Sequence, residues 1–426
     1  MRTLFHKMIL AVALLILFTG CAAKEPDISF DSSIELKVLY SDKRSFYKDY
    51  GNYINMEFPN IAFKVISIAP LYTSDRPLVE TLPELVAKET PDLLFLNAYQ
   101  QQILYEDEAL LPLQQELGQA SLDQMPLGVK EVLELQGNGT GEIYGIAASF
   151  STEALYYNKN EFERLGISLP EETMNWEDTI RLARRFANSE TAGLYLVNPD
   201  PALLFTKIGL SEGLTYLNKD NTEIKFHTEG WEQVLLSVKS LYDEKAIHTA
   251  ASNSDRFISG SAAMTIGRES YLEQLVSADV SFQWGVLPFP SSDPAAAPID
   301  LMHVIAVHKD SIQAKDAVKV IQHILNGTSK ILDRQAGALP ASMSSAIASD
   351  ASHPFHFMYT KHAKTHLNRS DEQTMSFSEH FHQQFFTYLS DTIRKVINGD
   401  IELEAGLQQI EQFGNQQLQL ETARRA

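Results

Sequence analysis

The chain has 426 residues, of which 44% are apolar and 21% charged. That length exceeds what one core can use, since single cores stop growing at roughly 250–300 residues, so two lobes are expected. Its composition excludes a disordered chain. The net charge of −20 excludes an extended nucleic-acid surface, which needs cations to neutralise phosphates.

The N-terminus reads as a secretory signal over residues 1–20. Arg2 and Lys7 are cationic, and Met8 to Phe18 is uninterruptedly apolar. The run is too short to span a bilayer, which takes about 20 residues. Thr19 and Gly20 precede Cys21, the chain's one cysteine. A cysteine at that point resembles a bacterial lipobox, in which its sulfur carries a diacylglycerol. Phe18 stands where leucine is usual. The competing reading is plain secretion with an incidental thiol. Acyl chains on Cys21 would anchor the protein stably, since one chain alone is marginal. Residues 21–33 are small, polar and acidic, as in a flexible linker.

Ordered structure is expected from "IELKVLY" onward, a strand by alternation. A helix to about Glu57, a turn at Pro59–Asn60 and a strand from Ala62 to Ile68 follow. A helix to Lys88, a break at Pro91 and the apolar strand Leu93–Leu96 repeat the pattern. Apolar strands alternating with helices predict a parallel sheet covered on both faces. Amphipathic helices are predicted around Trp176, Trp231 and Ala314, the first capped by Asn175. "NKDNTE", from Asn218, reads as a hairpin turn. "SSDPAAAP", Ser291 to Pro298, reads as a lobe crossing or an exposed loop. Ser376 to Leu420 looks helical throughout.

Catalytic motifs are missing. There is no G-x-S-x-G, no H-E-x-x-H and no P-loop. "SFYK", Ser45 to Lys48, matches S-x-x-K without a companion K-T-G. Half of the twelve histidines lie between His353 and His382. His362 and His366 have a zinc-like helical spacing, but no cysteine assists, and solvated histidines are the plainer reading. No metal, cofactor or catalytic residue is assigned.

"GEIYGIAASFSTEALYYNKNEFERLGISLPEETMNWEDTIRLARRF", Gly141 to Phe186, resembles the extracellular solute-binding subunits of bacterial ABC importers. The group is the carbohydrate type that includes the maltose-binding protein. "FISGSAAMTIGRESY", "WGVLPFP", "GALPAS" and "TPDLLFLN" agree in order and spacing across nearly the whole mature chain. The resemblance implies an α/β fold of two lobes with a ligand cleft between them and several hinge crossings. It implies a monomer that closes on a solute and hands it to a membrane permease. Crossings are expected near Ile146–Ser149, Leu287–Pro290 and Gly337–Ala341. The N-terminal lobe would hold residues 34–146 plus 290–340, and the C-terminal lobe 147–289 plus 341–426.

Loops at strand ends would supply the pocket. The candidates are Ser41, Asp42 and Lys43 after the first strand, and Asn97, Tyr99 and Gln100 after "DLLF". Phe150 and Ser151 lie at the first crossing, and Asn198 and Asp200 follow "GLYLV". Arg268 and Tyr271 follow "AMTIG", and His303 lies on the return to the first lobe. The three tryptophans look structural, and the first crossing lacks the proline common in the group. An aromatic platform would therefore use Tyr or Phe. A mono- or oligosaccharide is the expected solute. A ligand-sensing subunit for a membrane kinase, or a glycosidase with paired carboxylates, are the competing functions.

Overall fold

The segment "IELKVLY" forms strand β1 (Ile34–Tyr40). Its alternation buries Leu36, Val38 and Tyr40 in one apolar cluster and Leu39 in another. A strand with two apolar faces must be covered on both, and that requirement builds the first lobe. The computed structural model describes residues 29–30, 33–73, 76–137, 141–187, 189–198, 200–218, 220–248, 255–326, 338–364 and 377–425. The signal segment, Cys21 and most of the linker lie outside the described residues, as does His366.

The first lobe continues with β2 (Ile61–Ser67), β3 (Leu93–Leu96) and β4 (Ile146–Ala147). The chain crosses on β5 (Ser149–Ser151) and builds a second sheet from β6 (Glu153–Asn158), β7 (Ala192–Tyr195), β8 (Ile247–His248), β9 (Ala262–Arg268) and β10 (Trp284–Pro288). It returns through β11 (Ala296–Ala297) and β12 (Asp300–Leu301) to β13 (Val304–Val307). It crosses again on β14 (Leu339–Pro340) before β15 (His362–Ala363). The two five-stranded sheets have orders β2-β1-β3-β13-β4 and β10-β6-β9-β7-β8.

The first sheet is mixed, where the sequence predicts a parallel one. β1, β2 and β3 are parallel, but β13 runs antiparallel to β3 and to β4. The reason is directional: β13 re-enters from the second lobe, so it starts at the edge where β1 and β3 end. The three crossings pair with one another. β5 lies between β12 and β14, antiparallel to both, in a small junction sheet. The return crossing is thus Asp300–Leu301, later than Leu287–Pro290, because β10 still belongs to the second sheet.

Helices cover the sheets. In the first lobe, α1 (Lys43–Phe46) runs through a π-helical turn (Tyr47–Gly51) into α2 (Asn52–Glu57). Then come α3 (Leu78–Glu89), α4 (Ala98–Glu106) and α5 (Leu127–Gln136). Thr90, left-handed at φ 44°, ends α3 before Pro91. The second lobe carries α6 (Trp176–Arg184), capped by the Asn175 side chain as predicted, α7 (Pro201–Ser211) and α8 (Glu229–Asp243). α9 (Ala314–Asn326) returns to the first lobe. The C-terminal run is two helices, α10 (Glu379–Asn398) and α11 (Leu403–Arg425). Gly399, at φ 79°, reverses the chain between them, so the predicted continuous helix is broken there.

Two boundaries differ from the sequence reading. The linker's end is docked: Phe30 packs edge-on against Phe58 at 4.9 Å, and its carbonyl accepts a hydrogen bond from Asn60. The stretch Ala341 to Ala363, expected in the second lobe, packs on first-lobe helix α5. There Glu131 accepts from the Ala363 N–H and pairs with the His362 ring at 2.6 Å. The next residue, Lys364, reaches the Ser211 carbonyl of the second lobe. This stretch therefore bridges both lobes.

The second-lobe core centres on Trp231, ringed by Phe205, Tyr216 and Phe226 at 5.0, 6.3 and 4.8 Å. Trp231→Ala empties this cluster and is expected to cost about 3–5 kcal/mol, a lower urea midpoint in equilibrium unfolding. A midpoint within error of the parent would show that the cluster does not hold the lobe.

Candidate functional site

Topology fixes where the two lobes meet. β4 leads into β5 and β12 leads into β13, so the junction sheet lies at the carboxyl edge of β1, β2 and β3. In the second sheet β5 leads into the start of β6. β9 and β10 run antiparallel to β6, and β7 runs parallel to β9, so their carboxyl ends face the junction as well. Both sheets thus turn their carboxyl edges toward one cleft, the usual ligand position in open α/β sheets. Loops there need no ladder bonds and are free to carry function.

On the first-lobe rim, Ser41, Lys43 and Asn97 are exposed. Asp42 is committed to its own helix: its carboxylate accepts from the Ser45 N–H at 3.0 Å and the Ser45 hydroxyl at 2.7 Å. Those bonds hold the carboxyl below its ordinary range. Asn97 and Gln100 form a reciprocal capping box on α4, at 2.8 and 2.9 Å. Tyr99 is partly buried against the outer apolar cluster of the sheet. His303, at the start of β13, lies 3.3 Å from the Tyr50 hydroxyl and near the ring of Tyr40. Burial lowers its pKa and favours the neutral ring.

On the second-lobe rim, Asn198 is exposed and accepts from the Asp200 N–H. Asp200 itself caps α7 and accepts from Ser390 at 2.6 Å, so its carboxylate points at α10. Tyr271 is 4% exposed, and its hydroxyl donates to Asp255 at 2.8 Å. Phe150 is fully buried against Tyr359. Ser41, Lys43, Asn97, Asn198 and Arg268 are thus exposed polar groups at the carboxyl ends of strands. The structure places Phe150 and Tyr271 in the core with no ring face open to solvent.

Arg268 stands at the seam. Its guanidinium donates to the Ser151 hydroxyl at 3.1 Å and pairs with Asp300 at 3.3 Å. Both partners lie on crossing strands, opposite one another in register. Beside it, Glu269 is buried and accepts from the Ser151 hydroxyl and the Thr152 N–H, the latter at 2.7 Å. The Thr152 hydroxyl donates to the Pro298 carbonyl at 2.7 Å. One second-lobe turn therefore grips two crossing segments.

Two features escaped the sequence reading. Tyr72 follows β2 at the same carboxyl edge and is 59% exposed, while its hydroxyl accepts from the Gln100 side chain at 2.5 Å. An exposed ring held by its tip is a stacking platform. Its position after a strand was the available signal, obscured by the proline in "APLYT". The Glu269 grip joins residues far apart in sequence and left no local trace. Among the described residues no group of His, Cys, Asp and Glu could hold a metal ion. No helix among them is long and apolar enough to cross a membrane.

Comparison with known proteins follows the fold. A family model described as "Bacterial extracellular solute-binding protein" matches residues 78–352. No curated protein matches the sequence significantly. Among solved structures, the sugar-binding protein MalE of Xanthomonas citri is 16% identical, with a TM-score of 0.66 over 92% of this chain and 98% of its own. An extracellular solute-binding protein, family 1, of Alicyclobacillus acidocaldarius is 16% identical, with a TM-score of 0.67 over 92% and 100%. The substrate-binding protein Lmo0181 of Listeria monocytogenes, solved with cycloalternan, is 19% identical, with a TM-score of 0.56 over 90% and 98%.

Burial raises the Glu269 carboxyl above the ordinary glutamate value of 4.5, and its hydrogen bonds and Arg268 offset only part of that. A raised carboxyl stabilises the fold fully below its unfolded pKa, and that contribution is lost as pH rises through the folded pKa. Glu269→Gln keeps an acceptor for Thr152 and removes the charge. Between pH about 4 and neutral, the parent should lose stability relative to the variant, read as diverging urea midpoints. Parallel profiles would mean that Glu269 does not titrate in its buried place.

Proposed function

The chain belongs to the bacterial extracellular solute-binding proteins, a family of transport receptors and not of enzymes, and from that premise we propose that it is the sugar receptor of an ABC importer. The observation that supports this reading is the pair of sheets whose carboxyl edges face one three-strand junction, with exposed polar groups in the loops there. The lobes close on a mono- or oligosaccharide and present it to a membrane permease. Solved relatives support the ligand class, since MalE of Xanthomonas citri is a sugar-binding protein and Lmo0181 was solved with cycloalternan. Sugars take planar polar groups on their hydroxyls and aromatic faces on their C–H patches. Ser41, Lys43, Asn198 and Arg268 are the candidates for the first, and Tyr72 for the second.

Cys21 in this reading carries the lipid that keeps the receptor at the outer face of the cell membrane. The Cys21→Ser variant should leave the membrane fraction for the medium. Retention in the membrane would count against the anchor.

A thermal-shift screen of the full chain against mono- and oligosaccharides tests the receptor. A sugar at about a hundred times its Kd should add about 2.7 kcal/mol of stability. Tyr72→Ala should then weaken that sugar by about tenfold, ~1.4 kcal/mol, with the unliganded melting point unchanged. Silence across all sugars would sink the ligand class. Undiminished affinity in Tyr72→Ala would remove the ring from the site.

A further inference from the structure

A shallow, largely open depression lies along the helical run that starts after β1, lined by Lys43, Arg44, Tyr47, Lys48 and Asn52. Three of these five residues are cations, in a chain whose net charge is −20. Several basic groups elsewhere sit on carboxylates: Arg76 with Glu84 and Arg164 with Glu161, both at 2.7 Å, and Lys239 with Asp243 at 2.9 Å. No ion pair to Lys43, Arg44 or Lys48 is found among the described residues. The nearest acids in sequence are committed to other partners. Asp42 is held by Ser45 and feels Arg44 only weakly through space, and Asp49 accepts from the Tyr40 hydroxyl at 2.8 Å.

The backbone is shaped to the same end. The π-helical turn at Tyr47–Gly51 falls within the cationic stretch, and such turns cluster at functional sites. A Cβ on Gly51 would stand 2.8 Å from the Phe46 ring and 2.9 Å from the Tyr47 ring, so glycine lets both rings lie close. Like charges around one hollow repel each other, and an anion there would relieve that repulsion.

We infer that this hollow is an anion subsite and that the transported solute is an acidic saccharide, bearing carboxylate, sulfate or phosphate. The inference rests on the receptor reading above and narrows its solute. Sugar hydroxyls lie in the cleft, and acidic groups lie along the helix from Lys43 toward Asn52, about 13 Å at 1.5 Å per residue. The guanidinium of Arg44 can grip a carboxylate, sulfate or phosphate with two parallel N–H donors, and the lysines add point charge.

The test is calorimetric titration of the full chain with trigalacturonate, maltotriose, inorganic phosphate and inorganic sulfate, each at two salt concentrations. Trigalacturonate should bind at least tenfold tighter than maltotriose and weaken with salt. The Arg44→Gln/Lys48→Gln variant should lose at least tenfold for trigalacturonate while any maltotriose binding is unchanged. Maltotriose binding as tightly as trigalacturonate, with neither altered in the variant, would overturn the anion subsite and leave the sugar receptor standing. Phosphate or sulfate bound in an Arg44- and Lys48-dependent way, with no saccharide bound, would keep the anion site and sink the saccharide. Failure of every anion to bind would overturn the inference outright.

Discussion

Backbone hydrogen bonding among the three crossing strands is the constraint on which the rest depends. A chain that passes three times between two lobes exposes peptide groups at the one place where lobes must move. Here β5 donates to and accepts from β12 and β14, so the crossings satisfy one another. That pairing fixes the direction of every neighbouring strand. It turns β13 antiparallel, and it brings the carboxyl edges of both sheets to the seam. The cleft is a consequence of how the crossings pair, before any side chain is considered.

Side chains then make the two sides of the seam unequal. Glu269 holds the Thr152 N–H and the Ser151 hydroxyl, and Thr152 holds Pro298. Arg268 adds contacts to Ser151 and Asp300. These bonds tie the second lobe to the junction sheet as one unit. On the first-lobe side, the break between β4 and β5 falls at Ala148, which has no side-chain donor or acceptor. Its carbonyl takes one backbone bond, from Ala341. Hinges are element-terminal residues that absorb a change in φ and ψ, and Ala148 meets that description better than Thr152.

What could be read from sequence divides along a physical line. Strand β3, the Asn175 cap and the faces of the helices at Trp176, Trp231 and Ala314 follow from local period and capping chemistry, and the structure has them. The two-lobed α/β fold was legible from motifs spread along the chain. What failed was set by distant partners. β13 runs against β3 because of where the chain re-enters, and Ala341 to Ala363 bridge both lobes because Glu131 holds their end on α5. The candidate site was legible only as positions. Loops after strands do reach the cleft, but whether a side chain faces it depends on competing bonds. Asp42 and Asp200 are spent on helix caps, and Tyr271 on Asp255. Tyr72 was missed although it stands exposed after β2.

The same division explains how the fold persists where identity to solved structures is only 16% to 19%. Sheet order and crossings rest on backbone bonds and on apolar burial, which many sequences satisfy. Solute choice rests on a few exposed groups whose replacement costs the fold little. Lys43, Arg44, Lys48 and Tyr72 carry almost none of the buried core, so they are free to vary with the ligand. The cationic row at Lys43, Arg44 and Lys48 lies exposed on the surface, and an anionic solute would give it a partner.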